Sequence, residues 1–264
     1  MIDWDATGGG RMTLLEHLEE LRQRLLRSAI AVVIAMAIGW WLAPRVLEWL
    51  IHETVGTASV LSPLEGFGER FRLSFTLGVV MALPAVLYQA WAFVVPGLLR
   101  RERHLLLPLV GGSLLLFAAG GAMALWLVVP IALEALQSFL TPSMQPEYRL
   151  SYVLGFVYNL VLATGIVFQL PLVVGALTSM RVLSTRFLVR RWRVAIVAAV
   201  AVSALITPGD VVIAQLLLGI PLVALYLLSI GVAWMVERTR APGESALLDR
   251  FTEDDAAEGA GDGR

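Results

Sequence analysis

The sequence predicts an all-α, polytopic membrane protein with six transmembrane helices, both termini cytoplasmic and a short fifth span. Three observations carry that expectation. Of 264 residues, 58% are hydrophobic and only 16% charged, with a mean hydropathy of +0.78, well outside the range of a soluble domain. Apolar runs recur at lengths suited to a hydrocarbon core about 30 Å thick, which takes about 20 helical residues. The basic side chains, all of them arginine, fall into alternately crowded and nearly empty connections.

The elements follow in chain order. Residues 1–12 read as a flexible N-terminus; MIDWDATGGG lacks the basic region and cleavage site of a signal peptide, so the first apolar span is expected to stay as an anchor. Thr13-Leu14-Leu15-Glu16 fits a capping box, and Leu14, Leu18, Leu21 and Leu25 form an apolar stripe. An amphipathic helix at the cytoplasmic membrane surface follows, with its arginines toward lipid phosphates. Spans are read at 29–50, 71–95, 105–130, 152–177, 194–206 and 211–234, with Pro84, Pro171 and Pro221 predicting kinks inside them. The fifth run has thirteen residues, and Thr207-Pro208-Gly209-Asp210 reads as a turn between antiparallel helices rather than part of a re-entrant loop. Residues 13–240 thus form one six-span membrane domain without internal repeats. The tail, 241–264, holds seven acids against two arginines and reads as a disordered cytoplasmic segment.

Arginine placement gives the orientation. Arg11, Arg22, Arg24, Arg27, Arg100, Arg101, Arg103, Arg181, Arg186, Arg190, Arg191, Arg193, Arg238, Arg240, Arg250 and Arg264 fall on one side of the six spans. Only Arg45, Arg70, Arg72 and Arg149 fall on the other, which by the positive-inside rule makes both termini cytoplasmic.

Composition also excludes functions. A chain without cysteine has no disulfide or thiolate metal site, and His17, His52 and His104 are too scattered for a histidine-rich metal centre. No histidine lies mid-span to activate a serine, and no HExxH or GxxxxGK[ST] segment occurs, so neither an enzyme nor a cofactor is expected. A net charge of −1 makes no case for nucleic acid. A secondary transporter of a small solute is the alternative, and it would bury ionisable groups near the midplane. Carboxylates are nearly absent from these spans; Gln169 and Gln215 are the main polar candidates, and both are neutral.

Glu19 and Glu20 fit poorly beside an anionic leaflet and call for cationic partners. Glu20 has one in reach at i, i+4, Arg24, a pairing worth about 0.2–0.5 kcal/mol on a helix. Glu102 lies among Arg100, Arg101 and Arg103, as a solvated charge or as part of a site.

HLEELRQRLL at 17–26, YQAWAFVVPGLLRRER at 88–103, VFQLPL at 167–172 and LITPGDVVIAQLLLGIP at 205–221 occur in that order. Together they resemble the C subunit of the twin-arginine protein translocase, the TatC family, over roughly residues 12–238. The resemblance implies six spans in the bacterial or archaeal cytoplasmic membrane and a core subunit that binds twin-arginine signal peptides of folded cargo, with translocation driven by the proton-motive force. By motif it implies that Glu20 and Glu102 are signal-binding carboxylates, with Arg22 and the aromatic Phe93 beside them. It also implies small single-span partners of the TatA and TatB type, and homo- and hetero-oligomers, with Gln169 and Gln215 as intramembrane polar contacts. Glycine pairs at 111–112 and 120–121 serve such partners or packing within the chain. Asp210 matches the family's periplasmic turn and also fits a helix N-cap. Gln169 and Leu227 stand where many members carry acids; a neutral amide at Gln169 argues against a proton relay there while keeping a polar contact, and any function of the acid at position 227 is absent.

Overall fold

The structure is a computed structural model and describes residues 14–94, 106–141, 143–144, 147–206 and 212–239. Its first helix, α1 (Leu14–Thr54), is unbroken over 41 residues. At 1.5 Å per residue it is about 60 Å long, twice the hydrocarbon thickness. The amphipathic segment and the first span are therefore one rod rather than two elements. The reason lies in the sequence: from Leu14 to Ile38 there is neither glycine nor proline to break the backbone ladder. The capping residue Thr13 lies outside the described residues.

The second helix, α2 (Pro63–Val94), starts on a proline, whose missing N–H costs nothing at that position. The third span runs through α3 (Leu106–Met123), a π-helical turn (Ala124–Val128) and α4 (Val129–Gln137). Pro130 is the second residue after the π turn, and a widened turn accommodates a ring that an ordinary helical turn would crowd. The fourth span divides into α5 (Leu150–Val167) and α6 (Leu170–Ser179), broken at Phe168 and Gln169, with Pro171 in the first turn of α6. Then come α7 (Thr185–Arg190), α8 (Trp192–Ile206) and α9 (Val212–Thr239).

Among the described residues, five helical segments are long and apolar enough to cross a membrane, and α8 is a shorter apolar helix. At 15 residues α8 is about 22 Å long, short of the hydrocarbon thickness, as the sequence indicates. Among the described residues there is no strand, only a single bridge between Ser59 and Arg149.

Small residues bring the rods together. A β-carbon on Gly78 of α2 would lie 2.8 Å from the Met36 backbone of α1, and one on Gly39 would lie 2.8 Å from the Ser74 carbonyl oxygen. Gly120 and Gly165 allow the same close approach between α3 and α5, where the Thr164 hydroxyl donates to the Gly120 carbonyl at 3.1 Å. Around these crossings lies a core that includes Leu73, Val128, Leu154, Leu160 and Leu218, contributed by α2, the π turn, α5 and α9. Gly120 thus serves packing within the chain, whereas among the described residues nothing lies against Gly111.

One end of the bundle is closed by a polar lock. The backbone N–H of Ser59 donates to the Tyr148 carbonyl (2.8 Å) and that of Leu150 to the Ser59 carbonyl (3.0 Å). Glu65 accepts from the Leu61 and Ser151 N–H groups and from Arg149 Nε at 3.0 Å. The hydrogen bond to Glu65 raises the Arg149 pKa further above its usual value.

Candidate functional site

The register of α1 on α2 assembles the site. The two helices run antiparallel, with Met36 against Gly78 and Trp40 beneath the Arg70 guanidinium, which lies 4.4 Å from the Trp40 ring centre. The same register stacks His17 on Phe93, with ring centres 4.4 Å apart and planes inclined by 19°. Offset stacking of this kind is worth about 0.5–1.5 kcal/mol beyond the area it buries. It fixes the first turn of α1 to the last turn of α2, and so joins two of the sequence motifs, HLEELR and WAF.

One turn along α1 from His17 is Glu20, its side chain 23% exposed. Arg24 reaches back to it: Nε (3.0 Å) and Nη2 (2.5 Å) both donate to Oε1. The second oxygen, Oε2, is buried and has no hydrogen-bond partner among the described residues. On α2 the buried Oε1 of Gln89 is likewise without a partner. Both orphan atoms are acceptors, so the group their surroundings lack is a donor. The local i, i+4 reading of Glu20 is thus what the chain does with itself, and it leaves the carboxylate half satisfied.

Arg22 belongs to a different face. Two residues on from Glu20, about 200° around the helix, its side chain is 72% exposed and lies 3.5 Å from Glu19. The structure sets Glu20 one turn along α1 from the His17–Phe93 stack and turns Arg22 away. Glu102 and Asp210 lie outside the described residues.

The two glutamines are engaged within the chain. Gln169, at the break between α5 and α6, donates to the Ser113 carbonyl (3.1 Å) and the Gly165 carbonyl (3.3 Å), while its oxygen is buried without a partner. Ser113 also accepts from Trp91 Nε1 at 2.7 Å, so α2, α3 and the α5–α6 break share one polar contact. Sequence reasoning missed this node, because nothing in a helical pattern indicates which serine will meet which tryptophan. Gln215 donates to the Val200 carbonyl at 3.2 Å and borders an apolar groove between α8 and α9, lined by Leu216, Gly219, Ile220 and Val223. Among the described residues no group of three or more histidine or acidic side chains is placed to hold a metal ion.

A sequence profile described as "Sec-independent protein translocase protein (TatC)" matches residues 16–221, most of the chain. The chain belongs to the TatC family. Among relatives, the TatC protein of Koribacter versatilis (strain Ellin345) is 31% identical over 234 residues, 85% of this chain and 86% of its own. That of Carboxydothermus hydrogenoformans is 34% identical over 236 residues, covering 88% and 97%. The chloroplastic TATC of Arabidopsis thaliana is 36% identical over 232 residues, covering 86% and 67%. A crystal structure of a twin-arginine translocase receptor, TatC, superposes with a TM-score of 0.74 at 34% identity, over 84% of this chain and 100% of that one. The TatC-family fold therefore extends from the first turn of α1 into α9, and the Glu20 site lies within the matched residues. The chain is a multi-pass membrane protein of a protein-translocase family.

Proposed function

We propose that this chain is the core receptor subunit of a twin-arginine export system, and that Glu20 accepts a signal-peptide arginine. The observation that carries the reading is the state of the Glu20 carboxylate. It already binds a guanidinium side-on, and it keeps a second, buried oxygen without a donor. Guanidinium presents a planar fork of N–H groups that a carboxylate can accept in pairs, a geometry an ammonium cannot reproduce.

The signal's arginine takes the place of Arg24 at Oε1 or adds to Oε2, and Gln89 offers a further acceptor on the α2 side. Glu102, in the segment that leaves the end of α2, supplies the second carboxylate for the second arginine. Phe93 and His17 hold the two helix ends in register for this, and the exposed Arg22 binds lipid phosphates and repels other cations from the carboxylate. The apolar part of the signal then lies against the exposed leucines of α1.

In this reading the helices make six crossings of the bacterial or archaeal cytoplasmic membrane, α8 being the short fifth. Both termini, with the acidic tail, lie in the cytoplasm, as the uneven distribution of arginine supports. Single-span partners of the TatA or TatB type dock along the α8–α9 groove beside Gln215, and the receptor works in homo- and hetero-oligomers. Energy comes from the proton-motive force. The secondary-transporter alternative is not favoured, since the midplane polar groups Gln169 and Gln215 are neutral and already bonded within the chain.

Photoreactive probes placed beside Glu20 and beside Glu102 in the full chain test the reading. A twin-arginine signal peptide crosslinks at both positions, and its twin-lysine version crosslinks weakly. Equal crosslinking by the two peptides would contradict carboxylate recognition.

A further inference from the structure

A second charged site lies away from Glu20, where α7 meets α8. The two helices are separated by a single residue, Arg191. Beside this joint is a cleft of about 470 Å3 lined by Phe187, Arg190, Arg191, Arg193 and Val194. Its scaffold is fixed. The Thr185 N–H donates to Glu237 of α9 (2.8 Å), the Tyr226 hydroxyl donates to the Leu188 carbonyl (2.7 Å), and Leu188 packs with Val174 and Ala233.

The three guanidiniums at the cleft lack carboxylate partners. No salt bridge among the described residues involves them, and from 150 to 206 the sequence holds five arginines and no acid. Aromatic faces hold two of them instead: Arg191 lies 5.8 Å from the Phe187 ring centre and Arg193 lies 5.6 Å from that of Trp192. Such cation–π contacts use the face of a guanidinium and leave its N–H donors available to an anion. Three donor edges around one cleft call for an anion with several acceptor oxygens.

The surroundings narrow the anion further. Phe187, Val189, Trp192, Val194 and Val197 are all exposed beside the cleft, an apolar surface that suits acyl chains. Trp192 opens α8, the helix about 8 Å too short for the hydrocarbon core, and a bilayer that thins at this end brings its headgroups to the cleft. A free phosphate would use the arginines and leave the apolar rim bare. We propose that the α7–α8 cleft binds the phosphodiester headgroup of an anionic phospholipid, with its acyl chains along the start of α8. The bound headgroup neutralises Arg190, Arg191 and Arg193 and lets the bilayer meet the short helix without exposing its end.

The test uses the purified full chain in mild detergent and thermal unfolding with four additives: phosphatidylglycerol, a diphosphatidyl lipid, phosphatidylcholine and inorganic phosphate. The two anionic lipids should stabilise the wild type, and the others should not. In the variant Arg190→Gln, Arg191→Gln, Arg193→Gln the lipid concentration for half effect should rise at least about 5-fold. In the variant Arg238→Gln, Arg240→Gln, Arg250→Gln, which loses the same charge elsewhere, it should stay unchanged. A third variant with lysine at positions 190, 191 and 193 keeps the charge and loses the planar stacking; it should fall between wild type and the glutamine variant, which keeps the test open if the latter misfolds. Equal loss in both glutamine variants would reduce the effect to bulk charge and overturn the site. Full stabilisation by inorganic phosphate would overturn the lipid assignment.

Discussion

Arg24 reaches back one turn along α1 to Glu20, so the free protein already holds a guanidinium where an incoming one is to bind. A partly exposed i, i+4 pair is worth about 0.3–1 kcal/mol. Arg24→Gln should therefore tighten binding of a twin-arginine peptide about 2- to 5-fold in equilibrium titrations. The twin-lysine peptide should gain at least as much, since a lysine ammonium competes less well with a resident fork. Weaker binding would mean that Arg24 positions Glu20 rather than competing for it. At this scale the sequence was informative about partners close in the chain and silent about distant ones. Helical spacing names Arg24 as a partner for Glu20, and the same spacing puts Arg22 on another face, although one motif contains both. The His17–Phe93 stack and the Trp91–Ser113–Gln169 contact join residues 22 to 76 positions apart. Such contacts depend on the register between helices, which no local pattern fixes.

Register is set at the element scale by close crossings, and the α1–α2 crossing matters most because it brings His17 to Phe93. Gly78→Leu would drive a side chain into the Met36 backbone, with overpacking costing about 1–3 kcal/mol. The expected outcome is a lower unfolding midpoint in denaturant, together with weaker signal-peptide binding although the substitution is remote from Glu20. An unchanged midpoint would contradict the tight crossing. The apolar helices were legible in the hydrophobic runs, including the shortness of α8. Continuity was less so: the surface segment and the first span form one helix, and the fourth span breaks at Phe168 and Gln169, one residue before the first turn that holds Pro171. Pro171 pointed to that kink. The π turn ahead of Pro130 had no separate signal, because a widened turn differs from an ordinary one only in backbone bonding.

For the whole molecule, orientation rests on arginine counts, and a chain without native cysteine is well suited to test it. With an impermeant thiol reagent applied to intact cells, Thr57→Cys and Ser143→Cys should label, and Arg186→Cys should label only after lysis. The reverse pattern would invert the topology and put Glu20 on the wrong side for a cytoplasmic signal peptide. Sequence motifs carried the family assignment, and the fold agrees with it over most of the chain. What they left open was the condition of the proposed site, that its carboxylate is already half occupied.

The central claim is that Glu20 reads a guanidinium by geometry. The most direct measurement is the dissociation constant of a twin-arginine peptide and its twin-lysine version for the wild-type chain and Glu20→Gln in nanodiscs. Charge-assisted hydrogen bonds worth about 1.5–3 kcal/mol predict that Glu20→Gln loses roughly 10- to 100-fold in affinity for the arginine peptide and little for the lysine one. Equal affinity of the two peptides for the wild type, or no loss with Glu20→Gln, would contradict the account.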